Sequence, residues 1–159
     1  MPDSTLTYLF RHNLWANQHL LDVCAELDDE QLDTAVPGTR GSIRDTLVHL
    51  FAAEERYAAI FNDEQPQPHL SERNPFPGFD LLRQRAQASG QAFIDIAARD
   101  PHDEVLRGVF GDEPYAIPAP TVLLQVINHA TEHRAHINTC LTQTGVTPPQ
   151  LDAWHYEDG

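Results

Sequence analysis

His129 and His133 stand four residues apart in a stretch whose apolar residues recur at helical spacing. At about 100° per residue both imidazoles fall on one helix face, one turn apart. Val122, Val126, Ile137 and Cys140 share that face, so it turns toward a core. Two imidazoles placed this way can ligate one metal ion, as the His pair of zinc-binding helices does. The spacing alone is weak evidence, because many helices carry such a pair by chance. His49, in a second amphipathic segment, shares a side with Ala53, Tyr57 and Ile60. An inward imidazole without a partner is costly. His49 is therefore either a core histidine bonded to a carbonyl or carboxylate, or a third ligand. Three imidazoles would leave coordination positions open, which is the layout of a catalytic site rather than a structural one. Such a donor set suits Zn, Ni, Cu or Fe, with Zn and Ni foremost.

His136 projects close to the same face as His133 and has three readings: a fourth ligand, a base behind the ligands, or a rim residue. The last two are favoured together. Tyr57 and Arg134 are candidate substrate contacts. His12 and His19 share a face and either line a pocket or sit at a helix contact, whereas His69, His102 and His155 fall in loops or the tail and are expected to be solvated. There is no GxSxG, phosphate loop, GxGxxG or HExxH, and Glu132 lies on the wrong side of its helix to serve as a zincin glutamate. Unperturbed imidazoles titrate near 6.5, so a three-His site is expected to lose its metal steeply below about pH 6.

The elements that must position these residues are helices. Leu6, Leu9, Phe10, Leu14, Leu20, Leu21, Cys24 and Leu27 recur at three- and four-residue steps, which predicts a helix from Ser4 to about Asp28 or Asp29. Residues 36–41 (VPGTRG) form a loop, and Ser42 with Asp45 resembles a capping box opening a helix from Ile43 to about Phe61. Four prolines between Asp63 and Gly78 exclude a regular element and suggest a long crossover. A third helix is expected over Phe79 to Ala98, with Leu82, Ala86, Phe93, Ile96 and Ala97 inward. A short β-hairpin is expected over Val105 to Ile117, turning at Gly111-Asp112. Thr121 is the expected cap of the last long helix, which runs to about Gln143 and stops at Gly145. Leu151 and Trp154 are expected to pack back across the bundle end. The fold class is thus all-α, a four-helix bundle with a short hairpin before the last helix, in one domain spanning residues 1–159.

Composition narrows the function classes. The chain has 159 residues, 24 acidic against 10 basic, and a formal net charge of −14, with no Lys among the basic residues. Phosphate backbones should repel it, so nucleic-acid binding is not expected. No apolar run approaches the roughly 18 residues that span a bilayer, so no membrane association is expected. Met1 to Thr7 shows no basic cluster leading into an apolar stretch, so no signal peptide is expected and a cytoplasmic location is the simplest reading. Cys24 and Cys140 lie far apart in no CxxC spacing and read as small buried hydrophobes.

Trp15-Ala-Asn17, Ser42-Ile-Arg-Asp-Thr-Leu-Val-His49-Leu, Asn128-His129-Ala-Thr-Glu-His133-Arg134-Ala and the closing Gly145-Val-Thr-Pro-Pro149-Gln-Leu-Asp152 together resemble the DinB/YfiT-like metalloenzyme family over essentially the whole chain. The resemblance implies an up-down-down-up bundle, commonly dimeric, with the family's three metal-binding histidines at His49, His129 and His133. It also implies a metal-dependent enzyme acting on a small molecule. The better-understood relatives are thiol transferases and isomerases in which the metal readies a low-molecular-weight thiol as a thiolate, and many members have no assigned substrate. Position 136 is often Gln in that family and is His136 here, which puts substrate carry-over in doubt but not the metal site. The metal could ionise a thiol, giving transfer, or a water, giving hydrolysis. The alternative class is a non-catalytic metal-binding or stress-response protein in which the ion clamps helices.

Overall fold

The protein is seen here in a computed structural model that describes residues 4–62, 64 and 66–158. Met1–Asp3, on which part of the expectation about the N-terminus rests, and Asp63 and Gln65 of the Pro-rich connection lie outside the described residues. Six helices and one hairpin follow in the order α1 (Thr5–Cys24), α2 (Asp29–Leu32), α3 (Ile43–Asn62), α4 (Phe79–Ala98), β1 (Val105–Phe110), β2 (Glu113–Pro118), α5 (Ala119–Gln143) and α6 (Ala153–Asp158). The mostly helical fold with a hairpin before the last long helix is the one expected.

Two hydrophobic clusters set the directions of the four long helices. Leu20 and Leu21 of α1, Leu47 and Leu50 of α3, Leu82 and Ala86 of α4, and Ile137 and Leu141 of α5 meet at one end. Phe10, Ala58, Phe93 and Leu123 meet at the other. Reading residue numbers from one cluster to the other, α1 and α5 run one way and α3 and α4 the opposite way. This is the up-down-down-up arrangement. Because α3 and α4 are parallel, the chain between them must return along a 20-residue helix, about 30 Å. The long proline-rich connection does this. Arg85 of α4 holds it in place by donating to the Pro68 carbonyl at 3.1 Å while pairing with Glu55, and Leu70 is buried in the core.

Several boundaries differ from expectation, each for a local reason. Helix α1 starts as read, with Ser4 accepting from the Thr7 amide at 3.1 Å, but it ends at Cys24. Asp28 then caps α2 in a reciprocal box with Gln31, so the acidic stretch starts a new turn instead of closing the old one. Leu9, counted inward, is 38% exposed, and Asn13 and Asn17 are buried in the α1 interface. Ser42 does accept from the Asp45 amide at 3.2 Å. Thr121 is not the cap of α5. That helix begins at Ala119 with Pro120 in its first turn, where an amide has no intrahelical partner and proline loses nothing. Gly145, at φ +78°, supplies the left-handed stop past Gln143. In the tail Leu151 packs on the core, but Trp154 is 81% exposed. Tyr156 takes the role expected of Trp154, contacting Tyr8, His12 and Trp15.

Candidate metal centre

Fully buried Leu47, Leu50 and Phe51 pin the first turns of α3 and hold His49 at the edge of the core. Val126, Ala130 and Ile137 do the same for His129 and His133 on α5. The three imidazoles come together across the α3–α5 contact. His129 Nε2 lies 3.1 Å from His49 Nε2 and 3.1 Å from His133 Nε2. One ligand-type nitrogen from each ring falls within 4.8 Å of the other two. For metal–nitrogen bonds of about 2.0–2.1 Å at tetrahedral angles, ligand nitrogens sit about 3.3 Å apart. The observed spacing is near this value. Three ring nitrogens facing one another cannot all be satisfied as acceptors, whereas a shared cation would satisfy all three. The donor set therefore fits a divalent ion.

The electrostatics favour the same state. Burial first, then the neighbouring imidazoles and the positive charge of Arg56 or Arg40, lowers His129 and His133 to about 4. Burial and Arg40 also lower His49, against the opposing pull of Glu72. His129 and His133 are thus neutral well below neutral pH, and the downward shift of His49 acts in the same direction.

Two groups behind these imidazoles bear on their tautomers. His49 Nδ1 lies 2.9 Å from Glu72 Oε1. A carboxylate only accepts, and Arg40 Nη2, 3.1 Å from the same Nδ1, pairs more closely with Glu72, so the contact favours the proton on Nδ1 and the lone pair on Nε2. Arg40 pairs with the same Glu72 oxygen. Partial burial pushes the Glu72 carboxyl up, but its own backbone amide, His49 and Arg40 outweigh this and hold it below the usual carboxylate range. His133 Nδ1 lies 3.3 Å from His136 Nδ1. His136 is therefore placed behind His133, outside the three-His group.

Tyr57 stands edge-on to His129, ring centroids 5.8 Å apart, and lines a cleft of about 460 Å³ between α3 and the hairpin. Val109, Phe110, Tyr115 and Ile117 form the hairpin wall. Arg134 is placed differently from a substrate contact. Its guanidinium donates to Asn13 Oδ1 at 2.7 Å and Asn17 Oδ1 at 2.8 Å, and it is 6% exposed. The two Asn amides in turn donate to Glu54 Oε2, and Ser89 donates to Glu54 Oε1 at 2.6 Å. This buried network ties α1, α3, α4 and α5 together behind the histidines. His12 bonds the Leu151 carbonyl at 2.8 Å and serves a helix–tail contact, and exposed His19 leans on Trp15.

Glu72, Arg40 and Glu54 were not legible as parts of this arrangement. Asn13 and Asn17 on the apolar side of α1 were the one signal for the buried network. Glu72 had none, because its place depends on how the proline-rich connection folds.

A family model described as the DinB family matches residues 1–159. A solved structure of a DinB-like protein from Bacillus cereus shares the fold at a TM-score of 0.62 and 19% identity, covering 88% of this chain and 91% of that one. No curated protein matches this chain. Among the described residues no helix is long and apolar enough to cross a membrane.

Proposed function

This chain belongs to the DinB family, and from that premise we propose that it is a metal-dependent enzyme in which His49, His129 and His133 hold a divalent ion, Zn or Ni foremost, and activate a thiol or water toward a small-molecule substrate. The convergence of three Nε2 atoms from two helices carries this reading. A neutral His₃ donor set leaves a bound divalent cation its full charge, which lowers the pKa of a thiol or water placed on it.

The remaining roles fall to the chain's own groups. Glu72 keeps the His49 proton on Nδ1, and His136 can hold or accept the proton of His133 Nδ1. Tyr57, edge-on to His129, covers one side of that imidazole and joins it to the cleft beside the hairpin. The reading includes transfer of a low-molecular-weight thiol as the leading reaction, with hydrolysis second, a homodimeric assembly and a cytoplasmic location.

The test is elemental analysis of untagged protein, followed by thiol-transfer and hydrolysis screens of the loaded protein. One equivalent of metal per chain, lost in His129→Gln, supports the centre. Metal-free protein that takes up neither Zn nor Ni would sink it. Light scattering at the monomer mass across micromolar concentrations would remove the dimer alone.

A further inference from the structure

The geometry points to a more specific substrate class: the cleft between α3 and the hairpin takes a small organic anion, its acidic group on Arg56 and its apolar body against Phe110, Tyr115 and Ile117. This rests on reading the His cluster as the reacting centre, since it names what the adjoining cleft would bring there.

Arg56 lies two turns after His49, so both side chains leave α3 on the same face. It lines the cleft together with Tyr57, whose ring meets His129 edge-on. The cation is therefore next to the His cluster, and its charge is among those that keep His49 and His129 neutral. Arg40, Arg44, Arg83 and Arg85 are each ion-paired, and Arg134 is hydrogen-bonded in the core. Arg56 has no such partner among the described residues. In a chain of net charge −14, an uncommitted guanidinium beside a cleft offers an anion a local attraction. Its planar fork suits a carboxylate or sulfonate.

The opposite wall is built for an apolar body. Phe110 is 83% and Val109 66% exposed, so a ligand would cover surface that water now meets. Tyr115 lies over Gly108, where a Cβ would come within 2.3 Å of its hydroxyl. Only glycine at that position lets the tyrosine ring lie flat along the wall. At about 460 Å³ the cleft falls within the size range of small-molecule sites.

Fluorescence titration with 1-anilinonaphthalene-8-sulfonate and its uncharged counterpart N-phenyl-1-naphthylamine tests this on the full chain, first metal-free and then with one equivalent of zinc. Arg56→Gln should weaken the sulfonate about fivefold or more and leave the neutral probe within about twofold. Phe110→Ser should weaken both. Arg83→Gln, which removes the same charge from the far side near Asp22, should weaken neither. No binding of either probe, an unchanged sulfonate affinity in Arg56→Gln, or an equal loss in Arg83→Gln would overturn the proposal. Failure of zinc to bind would overturn the metal centre, while the Arg56 dependence in metal-free protein would still stand or fall by itself.

Discussion

Glu72 comes from a loop with no regular structure, yet it decides which nitrogen of His49 can act as a ligand. Carboxylates behind metal-bound imidazoles change affinity by about 10- to 100-fold. Glu72→Gln should accordingly weaken zinc binding by that range while stoichiometry stays at one per chain. Isothermal titration checks it, and an unchanged affinity would mean that the 2.9 Å contact does not orient the ring. The pH dependence follows from burial. Unperturbed imidazoles would surrender a metal below about pH 6, but the fold holds His129 and His133 down to about 4. Protons compete with these two rings only as pH approaches that value, so the steep loss of affinity should come at a lower pH than unperturbed imidazoles would give. The metal-free protein should respond differently. Between 6.5 and about 4 the unfolded chain binds protons that the folded one refuses. Its stability should therefore decline as pH falls through that window. Denaturant midpoints that rise toward pH 5 would contradict the sign.

At the scale of elements, α5 carries His129 and His133 and is held in rotation by Arg134, the residue after His133. Asn13 and Asn17 relay between this guanidinium and the Glu54 carboxyl, which burial pushes up and its four partners pull down. Removing one member of a buried charged set leaves the other uncompensated. Arg134→Leu should thus cost about 3–5 kcal/mol, read as a lower denaturant midpoint. A substrate contact would instead leave stability intact. Helices α1 and α4 approach closely at Gly90, where a Cβ would lie 2.6 Å from Leu14 Cδ1 and 3.1 Å from its Cβ. A mid-helix glycine is intrinsically unfavourable by about 1 kcal/mol relative to alanine. Its presence here reflects the lack of room, so Gly90→Val should destabilise by about 1–3 kcal/mol. A midpoint equal to or above that of the parent would refute the close packing.

At the scale of the molecule, the two buried clusters and the Glu54 network span all four long helices without the histidines. The bundle should therefore persist without its ion. Far-UV circular dichroism of chelator-treated protein and of His129→Ala is expected to keep most of its helical signal, and collapse of that signal would make the ion a structural clamp. The helices, their inward faces and the pairing of His129 with His133 could be read from the sequence, because a 3.6-residue period is a local property of the chain. So could the proline-rich crossover and the hairpin, from residues whose backbone restrictions act where they stand. The bonding of Glu72 to His49, the turning of Arg134 into the core and the closing of the α3–hairpin cleft beside Arg56 could not. These depend on which helix faces meet and how far a loop reaches. Such long-range contacts form only when the whole bundle packs, so only the tertiary structure decided them.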